Sequence, residues 1–361
     1  MPSLVKSRIV VAGAGVLGAA IALVLAREGA SVTLADPSPL GENASGVAAG
    51  MLAPAFEAVL DPLMAAHFDL LKAARDLWPG FAAGLAGAEL GLRRSGAVWI
   101  EIGEDTGSLD RHERALRAAG AQAERLSADR VRRLLPGVQV GAGGVHTTED
   151  WRLSPALALA VLRQAAVQSG VTIAERRLIG FDAGTAHLSN GDAVAADAVV
   201  LATGAGRSDL APETSCLSPI KGHILTLPGA RDDNAPVVRC EGGYIVAGPD
   251  GLHLGATMET GRDDAAIDPA IVARLRAAGA SLYPHLASAP FTARTGVRAA
   301  TPDGLPLVGL SSRAGVYLAT GARRNGWLLA PLVARMTAAY LAGGDPGPYA
   351  SLFAARRFDR G

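Results

Sequence analysis

Ile9-Val-Val-Ala-Gly-Ala-Gly-Val-Leu-Gly18 is an apolar run that ends in spaced glycines, and a second apolar run, Ala30-Ser-Val-Thr-Leu-Ala35, closes on Asp36. The pattern is strand, GxGxxG turn, helix, strand, acid. The three glycines act differently. Gly13 permits the tight turn, Gly15 lets backbone N–H groups approach a pyrophosphate, and Gly18 lets the helix pack on the strand. The helix start, at Val16 and Leu17, favours phosphate charge, and Asp36 can accept a ribose hydroxyl. The stretch reads as a dinucleotide site and leaves NAD and FAD both open. A rival reading, a membrane helix or secretory signal over the uncharged Ile9 to Ala26, meets three glycines within six positions and no A-x-A cleavage site.

The 361 residues allow a large core and two lobes. With 49% hydrophobic and 19% charged residues, the chain is globular rather than disordered. Its formal net charge of +0 argues against nucleic acid or an acidic membrane surface as partner. Arg132-Arg133, Arg176-Arg177 and Arg356-Arg357 read as solvated faces. Cys216 and Cys240 are too few for a disulfide framework, and with no signal peptide a cytoplasmic location is expected. Both read as small buried hydrophobes. His146-Thr-Thr-Glu149 has one ligand-like spacing but no third ligand, so no metal is expected.

Further along, Pro62 to Leu85 is spaced like a helix, Arg93 to Ile102 like a strand of a different sheet, and Arg111 to Ala119 and Ala128 to Leu135 like exposed helices. Ser154 and Pro155 open a helix to Ser169, followed by a strand at 171–174. Asp197-Ala-Val-Val-Leu-Ala-Thr-Gly204 echoes the opening strand, and Gly315-Val-Tyr-Leu-Ala-Thr-Gly321 does so again, before Arg323-Arg324-Asn325-Gly326 and a helix from Trp327 to Leu341. Uninterrupted apolar runs suit strands buried on both faces. Cys216 to Arg298 reads as antiparallel strands, best at Pro219 to Leu227 and at Gly243 to Ala256 with its Gly-Pro-Asp-Gly turn. The expected fold is α/β, with a nucleotide lobe from 1–85, 148–215 and 299–361 and a substrate lobe from 86–147 and 216–298. A return to a glycine turn opening a helix at the C-terminal end suits FAD better than NAD, because the flavin edge needs a second set of backbone donors far from the pyrophosphate.

Four further segments carry a family resemblance. Asn43-Ala-Ser-Gly-Val-Ala-Ala-Gly-Met-Leu-Ala-Pro54, Gly243-Tyr-Ile-Val-Ala247 with Gly255-Ala-Thr-Met258, Gly296-Val-Arg-Ala-Ala-Thr-Pro-Asp-Gly-Leu-Pro306 and Gly321-Ala-Arg-Arg-Asn-Gly-Trp-Leu-Leu-Ala-Pro331 resemble, in order, segments of the glycine oxidase branch of the FAD-dependent D-amino-acid oxidase (DAO) family, the thiamine-biosynthesis type. With the opening motif they span essentially the whole chain. The resemblance implies an FAD-binding Rossmann-like lobe of the GR2 type and non-covalent FAD. Related sarcosine oxidases attach flavin through a C-terminal Cys, and none follows Cys240 here. It implies that Arg298 binds the substrate carboxylate, that Tyr244 donates to it, that Arg324 lies beside the substrate with its backbone carbonyl toward the amine, and that Met51 narrows the pocket. A bidentate guanidinium suits a carboxylate as lysine does not. It further implies cofactor contacts from Gly13, Gly15, Val16, Leu17, Gly18, Asp36, Pro37, Ala44, Ser45, Ala49, Gly50, Met51, Leu178, Thr203, Gly204, Gly321, Arg323, Arg324, Asn325, Gly326, Trp327 and Leu328. Ala322, Ala299 and Asp36 depart from the family's usual His, Pro and Glu.

The implied reaction is oxidation of a small amino acid, glycine first, to an imine that yields glyoxylate and ammonia or feeds thiazole assembly, with dioxygen (giving hydrogen peroxide) or a quinone as acceptor. Alternatives left open are a D-amino-acid, D-proline or sarcosine oxidase or dehydrogenase, a non-catalytic FAD-binding sensor or partner-binding protein, and an NAD(P) dehydrogenase. A homo-oligomer is compatible with the sequence.

Overall fold

A computed structural model describes residues 4–85, 89–229 and 234–358. The expected lobe boundary at residue 86 and both chain ends lie outside the described residues. Two large sheets organise the chain. The first has six strands in the order Leu307–Leu310, Val316–Thr320, Ala198–Leu201, Arg8–Ala12, Ser31–Ala35 and Thr172–Ala174. All pairs are parallel except the edge pair of Leu307–Leu310 with Val316–Thr320. The three glycine-ended strands are direct neighbours: Val199 pairs with Val10 on one side and with Val316 on the other. Their turns, at Gly13, Gly204 and Gly321, therefore share one edge of the sheet. The helices Val16–Arg27, Pro155–Gln168 and Gly326–Leu341 pack with this sheet in one apolar core.

The second sheet has nine strands, ordered Glu259–Thr260, Ser218–Leu227, Gly251–Gly255, Gly243–Gly248, Val237–Cys240, Ala97–Glu101, Gly143–Thr147 and Glu124–Leu126, with Thr292–Ala300 on the other side of Ser218–Leu227. It is antiparallel apart from the pairing of Val237–Cys240 with Ala97–Glu101. Strand Thr292–Ala300 runs through the expected boundary at 298/299, because Ala299 and Ala300 continue its ladder onto Pro219 and Ser218.

Several expectations need correction. The single helix over 62–85 is three pieces, Pro62–Met64, Phe68–Asp76 and Trp78–Ala83, the last break falling at Leu77, where Pro79 has no N–H to offer the carbonyl four residues back and sits instead in the first turn of the next helix. The all-strand reading of 216–298 missed the helix Pro269–Leu282, whose alanine-rich sequence gives a weak 3.6 period; Asp268 caps it by accepting from the Ala270 N–H at 2.8 Å. Ser154 stands at a helix start but makes no capping bond, and Pro155 carries that role alone. Arg357 is not a solvated cation: its Nε donates to Asp303 at 2.8 Å. Cys216 is half-buried rather than buried.

The helix Gly326–Leu341 contains Pro331, which has no N–H to offer the carbonyl four residues back, that of Trp327. The fully buried indole N–H of Trp78 donates to that carbonyl at 3.0 Å and repairs the ladder. This keeps the helix start, where function concentrates, continuous with the core.

Candidate functional site

Three loops converge at the shared edge of the parallel sheet. In the first, Gly13 has φ +101°, and a Cβ there would sit 2.3 Å from the Ala202 carbonyl oxygen. A Cβ on Gly18 would strike the Gly13 carbonyl. Strand, turn and helix thus fit only around glycine. Asp36 accepts from the Ala14 N–H at 2.6 Å and the Ser38 N–H at 2.8 Å, which fixes its carboxylate at the end of the second strand. In the second loop, Asn43 caps the short helix Ala44–Val47, and Ser45 Oγ accepts from the Val16 N–H at 3.0 Å. In the third, the Trp327 indole N–H donates to the Ser45 carbonyl at 3.0 Å. Gly321 and Arg323 turn the chain with φ of +80° and +50°. Asn325 stands before the helix with no capping bond from its side chain, so the amides of Gly326, Trp327 and Leu328 point to the same space. Thr203 and Gly204 lie at the neighbouring turn, where Thr320 Oγ1 donates to the Gly204 carbonyl at 2.8 Å. Leu178 opens the strand Leu178–Asp182 and is half-buried beside Ala35 and Leu201 in the adjoining core, while Pro37 is exposed after Asp36.

Opposite these loops, the antiparallel sheet presents one face. Register pairs Arg298 with Ile220 and Gly296 with Gly222, and two residues further along Ile224 begins a row through Gly255, Tyr244, Arg239 and Trp99. A cavity of about 280 Å³ lies between the face and the loops. Its lining brings together Ala49, Gly50, Met51, Tyr244, Arg298, Arg324, Asn325 and Trp327, all named from sequence. Two glycines make the floor. A Cβ on Gly222 would lie 2.3 Å from Arg298 Nη1, and one on Gly255 would lie 2.6 Å from the Tyr244 hydroxyl. Arg298 Nη1 donates to the Thr257 carbonyl at 3.2 Å. Burial lowers the Arg298 pKa, while arginine still stays protonated at any working pH. Burial also raises the Tyr244 pKa, against the nearby positive charge of Arg298, so the phenol remains a proton donor. Gly222→Ala is expected to displace the guanidinium and raise the apparent KM at least tenfold while leaving flavin content unchanged, as read by steady-state turnover and bound-flavin absorbance.

Arg324 does not extend its side chain toward a ligand. Its Nε donates to Glu57 at 2.9 Å, leaving only its backbone for a substrate amine. Arg323 pairs with Asp61. Burial works against the charge on Glu57, but Arg324, Arg239 and Arg323 together hold its carboxyl below the usual range. Glu57 rides on the helix Pro54–Leu60, a stretch the sequence analysis assigns to no helix although Pro54 and a first-turn acid mark a helix start. The amides of Ala55 and Phe56 at that start donate to Asp150 at 2.8 and 3.3 Å. Sequence reasoning also missed Arg239, a lone charge in the buried strand Val237–Cys240, and that isolation was the available signal.

Burial pushes the Asp150 pKa up to about 6, although Arg239 pulls the other way. The folded protein therefore binds a proton here that the unfolded chain, near 3.8, does not. That contribution is complete below the unfolded value and is lost as pH rises through about 6, up to about 3 kcal/mol. Denaturant unfolding between pH 4 and 6.5 is expected to show this loss, and Asp150→Asn is expected to flatten the slope.

Among the described residues no group of side chains could hold a metal ion, and no helix is long and apolar enough to cross a membrane. His146 and Glu149 are separated in role: Glu149 accepts from Arg75 Nη1 at 2.7 Å.

A parallel sheet with a glycine-turn edge, facing an antiparallel sheet with a buried arginine, is the architecture of an FAD-dependent oxidoreductase. Residues 8–340 match the family model "FAD dependent oxidoreductase" (DAO), and the chain belongs to that family. It is 28% identical to a glycine oxidase of Pseudomonas aeruginosa over 96% of this chain and 98% of that one. It is 32% identical to a putative thiamine biosynthesis oxidoreductase, ThiO, of Rhizobium etli over 91% of this chain and 94% of that one. Among solved structures it is similar to glycine oxidase from Geobacillus kaustophilus, with a TM-score of 0.85, 27% identity and coverage of 98% and 99% of the two chains. The cofactor is FAD, and the glycine cradle and two helix starts suit its pyrophosphate and ring edge.

Proposed function

We propose that the protein oxidises a small amino acid at its α-carbon, glycine being the simplest member, to an imine that water converts to the oxo acid and ammonia. The observation that carries this reading is the half-buried Arg298 guanidinium, seated over Gly222 beside the Tyr244 phenol in the 280 Å³ cavity. Arg298 receives the α-carboxylate through two parallel N–H donors, and Tyr244 donates to the same group. With the carboxylate fixed, the Cα–H faces the loops at Met51 and Asn325, and the amine meets the Arg324 backbone. FAD, when bound, supplies the acceptor of the hydride equivalent. The chain need provide no base at carbon; orientation and exclusion of water by Met51, Leu60 and Trp99 suffice. Asp36, the 13–18 turn, Ala44, Ser45, Thr203 and the 321–328 turn hold the cofactor in this reading. The link is non-covalent, since no cysteine follows Cys240, whose pKa burial pushes up to about 11. In this reading Ala299 and Ala300 join the substrate lobe, a division at 300/301 supported by the end of the Thr292–Ala300 ladder.

Dioxygen is the acceptor in this reading, and the imine feeds thiazole assembly, a role supported by the name of the Rhizobium relative, a putative thiamine biosynthesis oxidoreductase. Anaerobic mixing of the yellow holoprotein with glycine, sarcosine, D-alanine and D-proline is expected to bleach the flavin with at least one of them. Air should then restore the colour with one hydrogen peroxide per turnover. No bleaching with any amine would leave a binding protein instead, and bleaching without peroxide would point to a quinone.

A further inference from the structure

The cavity holds one more guanidinium than a single carboxylate needs. Arg239 stands on the sheet face between its register partners Trp99 and Tyr244, on a row that continues through Gly255 and Ile224 to Arg294, and Arg298 lies four residues further along that last strand. Four strand spacings and four residues along the strand separate the backbones of Arg298 and Arg239, roughly 23 Å. The Arg298 guanidinium reaches inward over Gly222, and the Tyr244 phenol between them feels both charges. Arg239 is only 5% exposed and lines the cavity. Its contacts are weak for a buried cation. Nη2 lies 3.8 Å from Glu57 and 3.4 Å from the Met51 sulfur, and the guanidinium sits 5.3 Å over the Phe56 ring. Its Nε has no hydrogen-bond partner among the described residues. The two carboxylates nearby are committed elsewhere: Glu57 takes Arg324 at 2.9 Å, and Asp150 takes the Ala55 and Phe56 amides.

A buried guanidinium without a close bidentate partner is costly, and its planar fork matches a carboxylate. Resting on the oxidation reading above, we propose that Arg239 receives a second carboxylate, so that the favoured substrate is an amine carrying two carboxylates, one seated on Arg298 and Tyr244 and the other on Arg239. Iminodiacetate illustrates the balance. One N–CH2 unit gives up two electrons and two hydrogens to the FAD, and water adds to the imine to release glycine and glyoxylate.

The test uses the wild-type holoenzyme and Arg239→Met, with iminodiacetate, D-aspartate and glycine as substrates. At least one dicarboxylate is expected to show kcat/KM about 100-fold above glycine. Arg239→Met should lower that value more than 30-fold, chiefly through KM, and leave the glycine value within about threefold. A flavin absorbance titration of the wild type alone should show malonate binding about 100-fold more tightly than acetate, and it decides the matter if the variant does not fold. A wild type that favours glycine over both dicarboxylates, equal losses for both substrate types in Arg239→Met, or equal binding of malonate and acetate would each overturn the second carboxylate site and leave glycine oxidation standing. Bleaching by none of the three amines, nor by sarcosine, D-alanine or D-proline, would overturn the oxidation reading and this inference with it; bleaching by one of the latter alone would overturn this inference only.

Discussion

Arg298→Leu is expected to raise the apparent KM for the amino acid by about 30- to 1000-fold, equivalent to about 2–4 kcal/mol, while FAD content stays at the wild-type level. The size follows from where the charge sits. The half-buried guanidinium packs against Gly222 and donates to the Thr257 carbonyl at 3.2 Å, so most of its fork is available to a ligand. Removing it strips the α-carboxylate of a bidentate donor in a site with little water to substitute. Arg298→Lys should recover only part of the loss, because a point charge on a flexible stem cannot reproduce two parallel N–H bonds. Steady-state turnover over a wide amino-acid range, with bound flavin measured by absorbance, separates lost substrate affinity from lost cofactor. Unchanged turnover at low amino-acid concentration in Arg298→Leu would remove the basis of the proposed function.

Gly13→Ala is expected to destabilise the protein by about 2–5 kcal/mol and to abolish retention of FAD through purification. Two penalties combine. The residue holds φ +101°, which an L side chain rarely adopts, and its Cβ would meet the backbone of the neighbouring strand 2.3 Å away at the Ala202 oxygen. Backbone cannot yield as a flexible side chain does, so the turn and the first helix must shift together, and the amides aimed at the pyrophosphate move with them. Gly191→Ala gives the internal control. It has φ +91° but nothing within 4 Å of a Cβ, so only the conformational penalty of about 1 kcal/mol applies. Thermal unfolding of both variants, with flavin absorbance after gel filtration, measures the contrast.

The nucleotide half of the molecule was legible because its constraints are local. A GxGxxG turn requires glycine at fixed steps, and the strands 8–12, 198–201 and 316–320 are apolar except at the end residues Arg8 and Thr320 because both faces are covered. Their identical ends at Gly13, Gly204 and Gly321 even foretold that three distant segments would meet. The antiparallel half was less legible. Its helix Pro269–Leu282 has a weak period, and its ladder crosses the boundary read from the strand pattern of Cys216 to Arg298. Arg298, Tyr244 and Met51 were named through family-like segments rather than through any local rule.

By itself the sequence determined which residues can turn, which runs are buried, and that a dinucleotide must be held by backbone donors, since these follow from φ, Cβ and apolar periodicity within a few residues. Only the tertiary structure decided what each charged side chain faces. Glu57 takes Arg324, Asp150 takes the start of a helix, and Gly222 leaves room for Arg298, while Arg239 stands in the same cavity 3.8 Å from the Glu57 that Arg324 already engages. Those pairings join residues up to 267 positions apart. The energy of a buried charge depends on its neighbours within a few ångströms, and in this chain those neighbours come from other strands and loops.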